Sequence, residues 1–185
     1  YRKGVGTIMA DNICFPAKLA HGHVLNLIEK GVNRVLYPMT VRTPKEHPEA
    51  TNSFNCPIVS GYSEVLTSAI NTALRFNVPL DYPVTAFDDQ DLLRKACRQY
   101  LAELGVTGQV FENAFDAALK ETTAVKAKVR KQAEEIYRRA KAENREVIML
   151  AGRPYHIDPL IEHRTSQILA DMNVDVITVD IMWNV

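Results

Sequence analysis

The chain has few cysteines, no surplus of either charge and no long apolar run, and each shortage excludes a class of protein. Three cysteines with no close pair do not form the framework of a secreted disulfide-stabilised domain, so we expect a reducing cytoplasm. Basic and acidic residues number 22 each, which favours neither nucleic acid nor an acidic surface as a partner. No apolar run approaches the roughly 20 residues that cross a bilayer, and no signal peptide opens the chain. We therefore expect a cytoplasmic protein with no nucleic-acid or membrane partner.

At 185 residues the chain has the length of one domain, or of one and a half. It begins at Tyr1 without Met and stops at Val185 just after a strand-like run, so we expect a fragment (1–185) of a longer polypeptide. Strand-like and helix-like runs alternate, which predicts an α/β domain with a mostly parallel sheet flanked by helices. A long amphipathic region from about Gln109 to Asn144 predicts a helical insert that divides the chain into two lobes near residues 105–145.

Hydrophobic periodicity and turn residues predict the individual elements. The predicted strands are Val5–Met9, Val32–Tyr37, Tyr82–Phe87, Glu146–Leu150 and Val174–Val179. The predicted helices, besides the long insert, are Pro16–Lys30, about Gly61–Phe76, about Gln90–Leu104 and Pro159–Met172. The stretch Pro38–Asn55 contains three prolines and is predicted to be a long loop, of a length that is usually functional or disordered.

Two cysteines, Cys14 and Cys56, occupy similar local settings. Each lies near the end of a strand-like run, is followed by proline within two residues, and precedes a predicted helix. Ligands of open α/β sheets bind at the carboxyl ends of strands, and the N-terminal end of a helix favours a thiolate. Because cysteine thiolates hold iron–sulfur clusters, the two can meet at one cluster. The alternative is that both are small buried hydrophobic residues, and the residues alone leave both interpretations open.

The remaining cysteine and two histidines give weaker signals. Cys97 repeats with Leu93 and Leu101 at helical spacing, so we expect it to face the core. His21 and His23 follow Cys14 closely, but residues two apart point in different directions on a helix, whereas zinc ligands on helices prefer a spacing of four. A four-ligand zinc set is not visible either, so zinc is the weaker interpretation.

The run Ala151–Pro159 directly follows a predicted strand and leads into a predicted helix. Gly152 permits an unusual backbone turn, and two prolines stiffen the loop. Arg153 can pair with a phosphate or carboxylate, and His156 can donate or accept a proton, so both are candidate catalytic residues. The alternative is that the two side chains only tie the loop down with hydrogen bonds.

Three runs taken together resemble a known family: Cys14–His23, Asn52–Val59 and Ala151–Pro159. In this order they resemble the domain of acyl-CoA dehydratase activase-related proteins, also called the 2-hydroxyglutaryl-CoA dehydratase D-component-like family. The resemblance extends from about Gly6 to Asp180. It implies an α/β architecture of flavodoxin-like lobes.

The resemblance also implies an electron-transfer function. In related systems an activator with an actin-like ATPase fold couples ATP hydrolysis to the delivery of a low-potential electron. The acceptor is a cysteine-ligated 4Fe–4S or double-cubane cluster. By this similarity Cys14 and Cys56 are the cluster ligands here, with a third cysteine beyond Val185, and His21, His23, Arg153 and His156 surround the cluster and tune its potential. An isolated fragment exposed to oxygen would easily lose such a cluster.

The implied system is an enzyme of the dehydratase or double-cubane reductase type, acting on an acyl-CoA thioester or a small molecule. The chain has no glycine-rich phosphate loop, so the ATPase activator is expected elsewhere in the same parent chain. The alternative function is a non-catalytic interaction or regulatory module of the activase fusion, in which the cysteines are structural.

Overall fold

The computed structural model describes residues 1–45, 48–152 and 154–178. It confirms the predicted mixed α/β class, with parallel strand pairs and one long helix. Contacts divide the chain into two compact units, Tyr1–Phe111 and Glu112–Val185, each of which is described by itself. Of the helices in the described ranges, none combines the length and the apolar character that crossing a bilayer requires.

In its described residues, the first unit contains four complete helices, four short strands and a 3₁₀ segment. The 3₁₀ segment is Arg2–Thr7; the helices are α1 (Phe15–Glu29), α2 (Pro57–Ile70), α3 (Thr72–Phe76) and α4 (Gln90–Glu103); the strands are β1 (Val35–Leu36), β2 (Met39–Arg42), β3 (Leu80–Asp81) and β4 (Val84–Ala86). The long helix α5 (Gly108–Ala142) starts within this unit. Helices α1, α4 and α5 lie close to their predicted ranges.

The four strands form one interrupted parallel ribbon. Strand β1 pairs with β3 and strand β2 pairs with β4, both in parallel. Across the interruption at Pro38, Tyr37 N donates to Asp81 O at 2.8 Å and Met39 N donates to Pro83 O at 3.0 Å. Helix α2 lies in the connection between the two sides of the ribbon, which is the βαβ arrangement that alternating strands and helices predict.

The prediction that residues 38–55 form one long loop is wrong, because this stretch contains β2 and a short antiparallel contact. Arg42 and Phe54 form an antiparallel bridge, and Asn55 N donates to Val41 O at 2.9 Å. The strand is short and its parallel partner β4 lies more than 40 residues further along the chain. Local periodicity therefore gives little sign of it.

The core of the first unit lies between the ribbon and helices α1 and α2. Its buried hydrophobic residues are Ala17, Ala20, Val24, Val35, Tyr62, Leu66, Ile70, Val78 and Leu80. Burying one large aliphatic side chain contributes about 1.5–3 kcal/mol, so this cluster accounts for much of the packing of α1 and α2. The alanines on α1 are small enough to let α2 approach closely.

The predicted strand Val5–Met9 is also wrong, because residues 2–7 form the 3₁₀ segment. Gly4 is buried where this segment crosses α1, and a Cβ atom there would lie 2.5 Å from Gly22 N and 2.8 Å from His21 Cβ. Such a close approach requires glycine. The contact with α1, rather than pairing with a strand, determines the conformation of this segment.

The predicted helix over residues 61–76 is in fact two helices, with an earlier start at Pro57. Asn71 adopts the left-handed conformation, with φ of 50°, and separates α2 from α3. Its side chain accepts a hydrogen bond from Leu74 N at 3.3 Å, which caps α3. Asparagine is one of the few residues that adopt this conformation readily, so the break has a local cause.

The second unit contains most of α5, the parallel pair β5 (Val147–Leu150) and β6 (Asp175–Thr178), and helix α6 (Thr165–Asp171). Both strands were predicted, although Val179 lies outside the described residues. The predicted helix Pro159–Met172 is wrong in its first half, because the left-handed Arg164 immediately precedes α6. Arg145 forms an ion pair with Asp175 and so joins the starts of the two strands.

Candidate functional site

Cys14 and Cys56 are the residues that immediately precede α1 and α2. Each adopts an extended conformation, with φ, ψ of −61°, 150° and −64°, 155°, and each is followed by a proline in the first turn. Their carbonyl groups accept the first helical hydrogen bonds, from Lys18 N at 3.3 Å and from Ser60 N at 3.1 Å. Neither thiol makes a capping hydrogen bond, and both residues are exposed. The interpretation of Cys14 and Cys56 as buried hydrophobic residues is therefore wrong.

Cys56 lies beside β2. The bond from Asn55 N to Val41 O continues the antiparallel register, and the Asn55 side chain donates to Thr40 O at 3.0 Å. This register puts Cys56 level with Thr40. Helix α2 then runs from Cys56 in the direction opposite to the strand, toward the start of β3.

Cys14 lies near the end of β1. Burial raises the pKa of Tyr37, the residue after β1, and the charge that Cys14 carries as a thiolate raises it further. Since α1 ends shortly before β1 begins, α1 also runs opposite to the strand. Tyr37 and Thr40 are three residues apart, which is about 10 Å along an extended strand.

Helices α1 and α2 are therefore parallel, and the two cysteines lie at the same end of the pair. The helices touch at His21 and Tyr62, where His21 Nε2 lies 2.9 Å from the Tyr62 hydroxyl. This contact comes seven residues after Cys14 and six after Cys56, or about 10 and about 9 Å along the respective helix axes. Burial raises the pKa of Tyr62, with further contributions from Cys14 and Tyr37.

His21 is fully buried and has a partner at each ring nitrogen. Its Nδ1 atom lies 2.9 Å from the hydroxyl oxygen of Thr7, and that hydroxyl donates to Gly4 O at 2.9 Å. Because the single hydroxyl hydrogen of Thr7 is used on Gly4, its oxygen accepts from His21 Nδ1–H, and Nε2 accepts from Tyr62. Burial also lowers the pKa of His21, which favours the neutral imidazole.

The other predicted site residues lie in several different elements. His23 is exposed on the opposite side of α1 from His21, which confirms that these two histidines point in different directions. Cys97 is half-buried on α4, and burial raises the pKa of its thiol. His156 is exposed in the second unit, where its ring lies 4.5 Å from that of Tyr155. Arg153 lies outside the described residues, so its role, and the sharing of one site with the cysteines, stay predictions.

Tyr37, Tyr62 and Thr7 belong to this neighbourhood and were not among the predicted site residues. Tyr37 is the last residue of a predicted strand, which is a usable signal, because side chains at the carboxyl ends of parallel strands meet at one edge of the sheet. Tyr62 and Thr7 gave no such signal. They are 41 and 14 residues from His21 in sequence, and only the packing of α1 against α2 and the 3₁₀ segment brings them together.

Two exposed thiols at neighbouring helix ends suit part of an iron–sulfur ligand set, which commonly has four thiolates. Within the described residues there is no group of three or more His, Cys, Asp or Glu side chains arranged to hold a metal ion. The described residues therefore contain no complete ligand set for a metal ion. The same finding argues against a zinc site built from these residues alone.

The fold and the site define a mixed α/β protein in which two exposed cysteines precede parallel, touching helices. Over residues 1–182 the sequence matches the family described as "CoA enzyme activase uncharacterised domain", so the chain belongs to that family. Comparison with curated proteins and with solved structures found no match. Family membership confirms the predicted relation to the CoA enzyme activases and supports a role related to the activation of dehydratases.

Proposed function

We propose that this chain is the iron–sulfur domain of a 2-hydroxyacyl-CoA dehydratase/activase-related protein that takes part in ATP-driven, low-potential electron transfer. Cys14 and Cys56 are the proposed ligands. The observation that carries the proposal is that both thiols are exposed at the N-terminal ends of two helices that touch through His21 and Tyr62, with no hydrogen bond used for capping. Family membership supplies the connection to CoA enzyme activases.

The chemistry of the two positions suits thiolate ligands. The first N–H groups of a helix lack carbonyl partners within the helix, and the dipole adds a partial positive charge at the same end. Both effects favour negative charge on a sulfur that lies there. A bound cluster would supply the capacity to accept and release one electron, while the chain would hold the two sulfurs and keep them open to a partner.

His21, His23, Arg153 and His156 are proposed as surrounding residues that tune the site. The support differs among them. His21 follows Cys14 by about two helical turns and is hydrogen-bonded to Tyr62. The pKa of Tyr62 is raised by burial and, to a smaller extent, by the charge of Cys14. His23 is exposed on α1, where its side chain is open to solvent and to a partner protein. Arg153 and His156 are proposed from the resemblance alone, as candidate catalytic residues.

The proposed partner is an ATPase activator domain of the actin-like type, carried in the same parent chain. The proposed electron acceptor downstream is an acyl-CoA thioester or a small molecule. The exposure of Cys14 and Cys56 supports electron exchange with a partner, because a partner can approach the sulfur atoms closely.

A second candidate function is an interaction or regulatory module without electron transfer. The finding that favours it is that the described residues provide two thiols and no third ligand nearby. In that case the exposed cysteines would serve docking of the activator rather than metal binding.

The test uses the parent protein purified without oxygen and mixed with ATP and a chemical reductant. Low-temperature EPR should show a reduced iron–sulfur signal that requires ATP and is absent from the Cys14→Ser variant. The Cys97→Ser variant is the matched control and should keep the signal. Bound iron without any ATP-dependent signal would favour the regulatory module, and no signal without bound iron would contradict the proposal.

A further inference from the structure

We infer that His21 is a positioning residue that fixes the distance between the N-terminal ends of α1 and α2, and with it the distance between Cys14 and Cys56. The biological meaning of this inference rests on the proposed function. The geometry itself involves only the side chains of this chain. The role is distinct from tuning the potential of a bound group.

His21 lies on the face of α1 that meets α2. Seven residues separate it from Cys14, which is close to two full turns along the helix. On that side His21 meets Tyr62, which lies nearly as far along α2 from Cys56. The contact therefore lies at a similar distance along each helix from the cysteine that precedes it.

Two directional hydrogen bonds make His21 a junction of three segments. One bond joins α1 to α2 through Tyr62, and the other joins α1 to the 3₁₀ segment through Thr7. Thr7 donates in turn to Gly4 O, and Gly4 packs so closely on α1 that a Cβ atom there would lie 2.8 Å from His21 Cβ. With a hydrogen-bond partner on each ring nitrogen, the imidazole is held in one orientation.

The apolar packing of α1 against α2 does not provide this precision. Its members include Ala17, Ala20 and Leu66, and the free energy gained by burying such apolar side chains is non-directional. Hydrogen bonds weaken steeply when their angle or distance changes. Metal–ligand distances tolerate only about 0.2 Å, so a two-thiol ligand pair needs such a directional restraint.

The test measures the distance between Cys14 and Cys56 in the whole chain by dipolar EPR. Nitroxide labels are attached to both exposed thiols in a Cys97→Ser background. The Cys97→Ser chain with His21 intact should give one narrow distance distribution. His21→Ala should give a broader distribution with a shifted maximum, and Tyr62→Phe and Thr7→Val, each of which removes one hydrogen-bonding hydroxyl, should give smaller changes in the same direction.

His23→Ala is the matched control, since it makes the same substitution two residues away on the exposed side of α1. It should leave the distribution unchanged. If His21→Ala fails to fold by circular dichroism, Tyr62→Phe and Thr7→Val decide the question. Two results would overturn the inference. One is folded variants with the same distance distribution as the Cys97→Ser chain, and the other is a broad distribution in the Cys97→Ser chain itself.

Failure of this inference is distinguishable from failure of the proposed function. The distance measurement is made without metal, so an iron-free protein would leave its result unaffected. Conversely, an unchanged distance in the His21→Ala variant would remove the positioning role while Cys14 and Cys56 could still bind iron.

Discussion

The imidazole of His21 accepts a hydrogen bond from the hydroxyl of Tyr62 across the interface between α1 and α2, over 2.9 Å. Both side chains are buried, and this one contact joins the two helices that begin at Cys14 and Cys56. It relates two residues that are 41 positions apart in the sequence. The first predictions concern what this bond contributes to the fold.

Removing the hydroxyl of Tyr62 should destabilise the first unit. In the Tyr62→Phe variant the Nε2 atom of His21 would stay buried without a donor, which typically costs about 1–3 kcal/mol. Urea unfolding should show a free energy of unfolding lower by that amount. Tyr82→Phe, at a partly exposed tyrosine, is the control and should change stability by less than about 0.5 kcal/mol. Equal stability of parent and Tyr62→Phe would contradict the assigned bond.

Gly4→Ala should destabilise the contact between the 3₁₀ segment and α1. The new Cβ would lie 2.5 Å from Gly22 N, a backbone atom of α1 that cannot easily move. Overpacking of this kind costs about 1–3 kcal/mol. Gly6→Ala is a close control, because a Cβ at Gly6 meets nothing within 4 Å. Thermal unfolding should separate the two variants, and similar midpoints for both would contradict the close approach at Gly4.

The stability of the first unit should decrease in mild acid because of His21. Burial lowers the pKa of this histidine from its ordinary 6.5, so below that pH the unfolded chain binds a proton that the folded chain does not. The free energy of unfolding therefore falls as the pH drops below 6.5, and the loss stops growing once the pH is below the folded-state pKa. Well above pH 6.5 both states are neutral at His21 and the effect is absent.

Urea unfolding at about pH 7.5 and about pH 5.5 measures this effect. The difference between the two pH values should be smaller in His21→Gln than in the parent. His23→Gln, two residues away on the exposed side of α1, is the matched control and should retain the full difference. An unchanged difference in His21→Gln would show that other groups cause the acid sensitivity.

The three cysteines should differ in their reaction with a thiol reagent. Cys14 and Cys56 are exposed, whereas Cys97 is half-buried and burial raises its pKa, which lowers its thiolate fraction. Under reducing-agent-free conditions the metal-free chain should show two fast thiols and one slow thiol. Cys97→Ser should remove only the slow phase. A fast phase from Cys97 would contradict its assigned environment.

The helices with strong periodicity and clear caps were predictable from the sequence. Asp89 is an example, because its side chain accepts hydrogen bonds from Asp91 N and Leu92 N at 3.0 Å and starts α4 where expected. The strand pair β5 and β6 was also predicted closely. The 3₁₀ segment and β2 were not, since the first depends on contact with α1 and the second on a distant partner strand.

The candidate site was predictable only in part. The similar settings of Cys14 and Cys56 were visible in the sequence, and their exposure agrees with a role outside the core. The connections of His21 to Tyr62 and Thr7 were not visible, because they depend on how α1 packs against α2 and the 3₁₀ segment. A buried polar network of this kind is specified by three-dimensional packing rather than by any local pattern.

The central claim is that Cys14 and Cys56 jointly bind an iron–sulfur cluster, and the most direct measurement is iron and acid-labile sulfide in the parent protein purified without oxygen. Cys14→Ser and Cys56→Ser are compared with Cys97→Ser as the matched control. The account predicts stoichiometric iron and sulfide in the parent and the control, and loss of both in each of the other variants. An iron-free parent, or iron and sulfide retained in Cys14→Ser and Cys56→Ser, would contradict it.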